Sequence, residues 1–128
     1  MKSRKGFTLV ELMVVVVIIG ILTAIAVPVY NSVTTNANRR AVEANLRIID
    51  GAIMQFSTNS TKEPTHGSSG NLVGTYLQSW PVGPDGVTYE ITGDGTASSP
   101  YRAVAKRGSN TGTWFTGDVK SLPVTWEN

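Results

Sequence analysis

The chain has 128 residues, a formal net charge of +2, 41% hydrophobic residues and no cysteine. This length leaves room for one small globular domain beside a single long apolar segment. The absence of cysteine excludes a disulfide framework, so the domain must depend on packing or on assembly for its stability.

An apolar segment near the N-terminus dominates the sequence. From Phe7 to Val27 the only ionisable residue is Glu11, and the next charge is at Arg39. At about 1.5 Å of rise per residue, a helix over this segment is roughly 30 Å long, which matches the hydrocarbon core of a bilayer. The alternative is a buried helix of a soluble domain, but the chain has few other apolar runs with which to surround it. The sequence therefore predicts a membrane-embedded helix.

Glu11 is the unusual residue of this segment, because a carboxylate in an apolar environment costs free energy. One interpretation places it near the membrane interface, where it stabilises the positive end of the helix dipole. The other gives it a cationic partner on another molecule. Physical considerations alone slightly favour the first interpretation.

The segment Lys5–Glu11 (KGFTLVE), followed by the apolar run, resembles the prepilin signature of type IV pilins and pseudopilins. The resemblance implies that residues 1–6 are a leader peptide, which a membrane peptidase cleaves between Gly6 and Phe7. The same enzyme then methylates the new amine of Phe7. The resemblance also implies that Glu11 pairs with the N-terminal amine of a neighbouring subunit during filament assembly, in agreement with the second interpretation.

The leader carries three of the eleven basic residues, namely Lys2, Arg4 and Lys5. Its removal leaves eight basic side chains against nine acidic ones, a balance of −1, so we predict no specific nucleic-acid partner. The three leader charges outnumber Arg39 and Arg40 beyond the apolar segment, which favours a cytoplasmic N-terminus. Because the glycine precedes the apolar core, the helix is expected to survive processing, unlike a secretory signal.

Two residues are expected to weaken the apolar helix. Residues 7–29 form the predicted transmembrane and assembly helix, and Gly20 and Pro28 lie within it. Proline removes a backbone donor and clashes with the preceding turn, so we expect a kink near residues 24–28. The family resemblance adds that the helix loosens between Gly20 and Pro28 in an assembled pilus.

Residues 30–57 continue as the amphipathic outer half of the same helix. Apolar residues recur at three- and four-residue steps and predict a face that packs on a sheet: Ala41, Val42, Ala44, Leu46, Ile48, Ile49, Ala52, Ile53 and Phe56. The charged residues are expected on the opposite side: Arg40, Glu43, Arg47 and Asp50. Asn45 falls within the apolar arc and is expected to be a hydrogen-bonded buried amide.

The rest of the chain predicts a loop followed by an antiparallel sheet. Residues 58–75 form an αβ loop rich in Ser, Thr, Gly and Asn, in which His66 has no cysteine or second histidine as a metal-binding partner. Residues 76–128 form the sheet region, with strands expected at residues 87–92, 100–106, 113–116 and 122–126. We therefore predict an α+β pilin fold, in which a long N-terminal helix packs against a small C-terminal antiparallel sheet.

No residue pattern indicates catalysis, a cofactor or a metal site. Asp85, Asp94 and Asp118 each adjoin glycine, and turn chemistry explains this placement, since aspartate bonds its own backbone and glycine adopts positive φ. The aromatic residues of the sheet region are interpreted as core. Many pilins close their C-terminal region with a disulfide, and this cysteine-free chain departs from that family pattern.

The resemblance implies a structural subunit, the major pilin of a type IV pilus, which polymerises through its N-terminal helix into a filament for adhesion, motility or DNA uptake. Its partners would be further copies of the chain, the prepilin peptidase/methyltransferase and the pilus assembly platform. The precursor would lie in the bacterial cytoplasmic membrane before joining an extracellular surface filament. Two alternatives stay open: a pseudopilin of a type II secretion or competence system, and a membrane-anchored binding domain with an unprocessed N-terminus.

Overall fold

The computed structural model describes residues 6–68, 70–109 and 111–126. The chain forms two compact units, one that ends at Asn36 and one that begins at Ala37. The regular elements follow in this order: helix α1 at Leu9–Asn59, a 3-10 turn at Pro84–Gly86, and strands β1 at Thr88–Thr92, β2 at Arg102–Lys106 and β3 at Val119–Ser121. This architecture confirms the predicted α+β fold.

The first unit contains the N-terminal part of α1, and its side chains have no core of their own to pack against. Every residue from Gly6 to Val33 is exposed. By length and composition, α1 is a helix that could cross a membrane, and none of its apolar window is buried within the chain. The N-terminal part of α1 therefore differs from the core helix of a soluble domain, which is mostly buried.

The second unit combines the C-terminal part of α1 with a three-stranded antiparallel sheet in the order β1-β2-β3. Tyr89 lies opposite Ala105 in the first strand pair, and Val104 lies opposite Ser121 in the second. Because side chains alternate along a strand, Tyr89, Ala103 and Ala105 share the face that enters the core. The sheet thus presents one apolar face to the rest of its unit.

One stripe of α1 supplies most of the helical side of the core. Its buried residues recur at three- and four-residue steps: Val42, Leu46, Ile49, Ile53 and Phe56. They form a single cluster with the inward residues of the sheet and with Phe115. Full burial of such side chains contributes about 1.5–3 kcal/mol each, so this stripe is a major source of stability in the unit.

The buried face of α1 is narrower than the predicted apolar face. Ala41, Ala44 and Ile48 are exposed rather than packed against the sheet. Three strands about 4.8 Å apart are only roughly 10 Å wide. They therefore cover one stripe of a helix of similar diameter and leave the neighbouring apolar positions uncovered.

The prediction that all four charged helix residues lie opposite the sheet is wrong for Glu43 and Asp50. Asp50 Oδ1 accepts a hydrogen bond from the backbone N–H of Ala103 at 2.6 Å, and Glu43 Oε1 accepts one from Trp126 Nε1 at 2.8 Å. The two arginines of the set are exposed, as predicted. Both carboxylates lie on the flank of the buried stripe, where polar groups of the sheet and the C-terminal segment come within reach.

The expected hydrogen bonding of Asn45 is confirmed. Its Nδ2 donates to the Tyr89 hydroxyl at 3.0 Å and to the carbonyl oxygen of Val82 at 3.3 Å. The amide is half-buried at the edge of the apolar stripe. It links α1 to β1 and to the segment that precedes the 3-10 turn.

Strand β3 lies between the two places where the apolar pattern predicts C-terminal strands. Residues 113–116 form a turn, and residues 122–126 follow β3 without strand pairing. Trp114 and Phe115 are adjacent yet only 9% and 0% exposed. The alternating side chains of a strand do not allow two neighbours to share one core, so here the apolar pattern marks burial rather than extended backbone.

Noncovalent contacts hold the C-terminal segment against α1. The Trp126 ring lies 5.8 Å from the ring of Phe115, and the Arg39 guanidinium carbon lies 5.3 Å from the Trp126 ring centroid. The hydrogen bond from Trp126 Nε1 to the Glu43 carboxylate adds a directional contact to this packing. Such charge-assisted bonds are stronger than neutral ones.

Asp85, in the 3-10 turn, forms a second set of hydrogen bonds between segments that are distant in sequence. Its φ of +50° lies in the left-handed region, which aspartate tolerates better than most residues. Its Oδ2 accepts hydrogen bonds from Trp114 Nε1 at 2.8 Å and from Asn38 Nδ2 at 2.9 Å, and its backbone oxygen accepts one from Thr111 Oγ1 at 2.9 Å. The turn geometry predicted from the sequence thus explains the backbone conformation of Asp85 but not its hydrogen bonds to distant segments.

Replacing Trp126 by phenylalanine tests the C-terminal fastening. The variant keeps an aromatic ring but loses the bond to Glu43, so we expect the free energy of unfolding to fall by about 2 kcal/mol. Trp80→Phe is a matched control, because Trp80 is also half-buried and its indole N–H has no partner among the residues that the structure covers; its cost should be below about 1 kcal/mol. Denaturation of the detergent-solubilised chain measures both, and equal losses would contradict this role.

The carboxyl of Asp50 gives a pH dependence. Burial raises its pKa above the ordinary value of 3.8, against the opposing effects of the Ala103 N–H and the Arg102 charge. The native state therefore holds the proton more tightly, and this group's contribution to stability falls as the pH rises above that value. Relative to wild type, Asp50→Asn should become progressively more stable as the pH is raised from about 4 to about 7.

Asp94→Asn is the control of opposite sign. The hydroxyl and backbone N–H of Thr96 lower the pKa of Asp94, so its contribution is present above the unfolded pKa and is lost as the pH falls through the folded pKa. Relative to wild type, this variant should therefore lose stability as the pH rises. Thermal unfolding across the pH range measures both slopes, and slopes of the same sign would refute the assignment.

Candidate assembly site

Helix α1 begins with reciprocal hydrogen bonds between Thr8 and Glu11. The Thr8 hydroxyl accepts the backbone N–H of Glu11 at 3.2 Å and donates to Glu11 Oε2 at 3.0 Å. The backbone N–H of Thr8 donates to the same carboxylate oxygen at 2.8 Å. A threonine N-cap followed three residues later by glutamate is a capping box, which satisfies backbone donors that the first turn otherwise leaves unpaired.

Thr8 is not among the residues predicted from the sequence to act in assembly. The signal is nevertheless present, because the spacing T-x-x-E before an apolar run is itself a recognisable helix start. The structure brings Thr8 and Glu11 together, and Glu11 stabilises its own helix start while its side chain stays exposed. A cationic partner for Glu11 on another molecule stays a prediction.

Gly6 and Phe7 precede the helix and are exposed, with 86% of Phe7 accessible. No heavy atom would lie within 4 Å of a Cβ built on Gly6. Packing among the described residues therefore gives no reason for glycine at this position. Peptidase cleavage after Gly6, which the resemblance implies, stays a prediction.

An apolar groove of about 500 Å³ runs beside the helix start. Its lining residues are Phe7, Val10, Glu11, Leu12, Val14 and Val15. Glu11 is the ionisable residue of this set. The groove therefore combines an apolar wall with one negative charge.

The helix surface stays largely apolar from Leu9 to Val29. The exposed fraction of the large apolar side chains in this segment ranges from 50% at Val15 to 75% at Leu9. Soluble monomers rarely expose contiguous apolar patches larger than a few hundred Å². This surface must therefore be covered by lipid or by other protein chains.

Gly20 and Pro28 lie within this surface, and helical conformation continues through both. A Cβ built on Gly20 would meet no heavy atom within 4 Å, so nothing in the chain itself requires glycine there. Pro28 has no N–H to complete the helical bond to residue 24. The kink and the loosening expected between these residues stay predictions.

Other polar residues give no metal site among the described parts of the chain. His66 is exposed in its loop, and residues 6–68, 70–109 and 111–126 contain no group of three or more side chains placed to hold a metal ion. Asp94 accepts bonds from the backbone and hydroxyl of Thr96, which is ordinary turn chemistry. The helix start is therefore the candidate assembly site.

Comparisons with known proteins show similarity to pilins, fimbrial proteins and a secretion-system protein. Residues 1–27 match the prokaryotic N-terminal methylation motif. A fimbrial protein of Neisseria meningitidis is 30% identical over 128 residues, which cover 89% of this chain and 73% of that protein. The type IV major pilin protein PilE1 of Neisseria gonorrhoeae is 31% identical over 138 residues, which cover 98% of this chain and 61% of that protein. The type II secretion system core protein G of Klebsiella pneumoniae is 35% identical over 65 residues, or 51% of this chain and 46% of that protein.

The three relatives differ in how much of their own length the chain covers. The chain spans less than two thirds of the gonococcal pilin and less than half of the secretion protein. No solved structure shows a significant match to the chain. The methylation motif, the α+β fold and the match across most of the meningococcal fimbrial protein have one common explanation, which is that the chain belongs to the type IV pilin family.

Proposed function

We propose that the chain is the major structural subunit of a type IV pilus and polymerises through the N-terminal part of α1. The observation that carries this proposal is the surface from Leu9 to Val29, where apolar side chains are exposed all around the helix and a single carboxylate lies near its start. Matches to relatives named as pilins or fimbrial proteins over most of the chain support the same function. The surface filament would serve adhesion, motility or DNA uptake.

Processing would prepare the subunit for assembly. The prepilin peptidase would remove residues 1–6 by cleaving between Gly6 and Phe7 and would then methylate the Phe7 amine. Residues 7–29 would span the cytoplasmic membrane with the N-terminus on the cytoplasmic side, and residues 30–128 would lie outside it. The matched methylation motif supports this processing step.

Assembly would then depend on packing and on one ion pair. Lipid tails are as apolar as the helix surface, so transfer from lipid into a filament core gives little hydrophobic gain, and helix–helix packing must supply affinity. An unpaired carboxylate in such surroundings is costly, whereas pairing Glu11 with the Phe7 amine of a neighbouring subunit satisfies both charges. Glu11 would therefore fix how neighbouring subunits are placed along the filament.

A pseudopilin of a type II secretion system is the second candidate function, favoured by the identity to core protein G. It would share the processing step and the role of Glu11. Abundant long surface fibres distinguish the pilin from it, whereas short periplasmic fibres and a loss of secretion on deletion indicate the pseudopilin.

Replacing Glu11 by glutamine separates its charge from its capping role. Glutamine also completes a capping box, so the helix start should persist while the ion pair is lost. We expect Glu11→Gln subunits to be inserted and processed like wild type. Their filament yield should fall about tenfold or more, because a neighbour's buried ammonium group then lacks its counter-charge. The yield of sheared fibres per membrane subunit measures the effect.

Glu90→Gln is the matched control. It makes the same chemical change at a partly exposed residue that pairs with Lys106 on the sheet at 2.6 Å, and such pairs contribute little. Its fibres should form at the wild-type yield. Normal filaments from Glu11→Gln would overturn the assigned ion pair.

A further inference from the structure

We propose that a groove between the C-terminal part of α1 and the start of β2, called here the α1–β2 groove, binds a neutral oligosaccharide. Its volume of about 620 Å³ lies within the range of about 300–1,000 Å³ that is typical of small-molecule sites. Every lining residue belongs to the second unit, so the inference does not rest on the proposed assembly. The lining residues are Asp50, Ile53, Met54, Ser57, Thr58, Gly95, Pro100, Tyr101, Arg102, Leu122 and Pro123.

Four polar side chains of the α1–β2 groove keep hydrogen-bonding capacity that the chain itself does not use. Asp50 Oδ1 accepts the backbone N–H of Ala103 at 2.6 Å, whereas Oδ2 has no partner among the described residues. The Arg102 guanidinium and the hydroxyls of Ser57 and Tyr101 likewise have no hydrogen-bond partner within residues 6–68, 70–109 and 111–126. The groove thus offers a ligand both acceptors and donors.

The charges of the lining favour a ligand without net charge. The Arg102 guanidinium acts on the Asp50 carboxylate, and the two groups have opposite signs. An anion would meet the carboxylate and a cation would meet the guanidinium, and contacts between like charges cost affinity. Desolvation and the negative charges of Glu63 and Asp94 raise the pKa of Tyr101, so its hydroxyl stays a donor. The same two acids further disfavour an anionic ligand.

Apolar surfaces lie beside these polar groups. Met54 and Leu122 contribute aliphatic side chains, and the Tyr101 ring lies against the turn at Gly95. Gly95 has φ of +78°, and a Cβ built on it would lie 2.6 Å from Cε2 of that ring, so only glycine allows this contact. A purely apolar ligand would leave Asp50 Oδ2 without a partner, which is costly. A sugar ring has hydroxyls at its edge and C–H groups on its faces, and it therefore matches both kinds of surface.

A second, polar groove extends this surface. It has a volume of about 430 Å³, is lined by residues 57–62 and shares Ser57 and Thr58 with the α1–β2 groove. Its hydroxyl and amide groups suit further sugar units, so the proposed ligand has more than one. An added peptide strand fits less well, because the Ala103 N–H is already bonded to Asp50 and is not free to pair with it.

Titration of the full-length chain in micelles tests this inference. A phosphocholine detergent is used, because a detergent with a sugar headgroup would compete for the groove. The probes are cellobiose, lactose, maltose and N,N′-diacetylchitobiose, each up to about 20 mM, since an open groove is expected to bind with a Kd of about 1 mM. At least one of them should cause saturable amide shifts that are confined to the residues of the two grooves. The anionic probe 3′-sialyllactose should bind about fivefold more weakly than lactose, or less.

Two variants and two matched controls assign the binding to the named groups. Asp50→Asn keeps an acceptor for the Ala103 N–H, and Arg102→Gln changes an exposed side chain, so both variants should fold. Each should weaken binding by about fivefold or more, because hydrogen bonds to charged groups are stronger than neutral ones. Asp118→Asn and Arg107→Gln make the same changes at exposed residues outside both grooves and should bind like wild type.

Several results would overturn the inference. They are the absence of saturable shifts with all four neutral probes, shifts confined to another surface, and wild-type affinity in both Asp50→Asn and Arg102→Gln. Tighter binding of 3′-sialyllactose or of trilysine than of every neutral probe would also overturn it, because the groove would then select a charged ligand.

Discussion

The structure depends on an apolar helix surface that its own chain leaves uncovered. From Leu9 to Val29 the side chains point outward in every direction and remain exposed. A helix of this length satisfies its backbone hydrogen bonds internally, so it is stable in lipid as well as in a bundle of similar helices. The same surface can therefore serve first as a membrane span and then as an assembly interface, without refolding between the two states.

The polar groups of this segment are consistent with that double use. The Thr23 hydroxyl returns a hydrogen bond to Ile19 O at 2.7 Å, and Thr8 satisfies one oxygen of Glu11. These bonds lower the cost of placing polar side chains in an apolar environment. The other oxygen of the Glu11 carboxylate has no hydrogen-bond partner among residues 6–68, 70–109 and 111–126.

The second unit is a small domain without cysteine, so packing and hydrogen bonds must stabilise it. A stripe of five helix residues covers the inner face of a narrow sheet. Two tryptophan N–H groups then tie the C-terminal segment to carboxylates of Glu43 and Asp85. Because these carboxylates lie on separate elements, the hydrogen bonds connect the segment to both α1 and the turn before β1. Directional hydrogen bonds thus add to the packing that holds this cysteine-free domain together.

The sequence predicted what depends on local pattern and missed what depends on distant contacts. The long helix, the loop and the first two strands follow from periodicity and turn residues. The roles of Glu43, Asp50 and Asp85 do not, because each carboxylate bonds a residue 29 or more positions away along the chain. The misplaced third strand has a related cause, since neighbouring buried aromatics resemble a strand in composition but not in geometry. At the helix start, Glu11 was singled out from the sequence, whereas the T-x-x-E spacing that indicates Thr8 as the N-cap was overlooked.

The most direct test of the central claim is the N-terminal mass of the subunit in fibres sheared from the surface of the native cell. The account predicts a chain that begins at a methylated Phe7 and retains the whole apolar helix. A fibre subunit that still begins at Met1, or one cleaved beyond the apolar segment, would contradict the account, because in neither case would a processed helix be the assembling element.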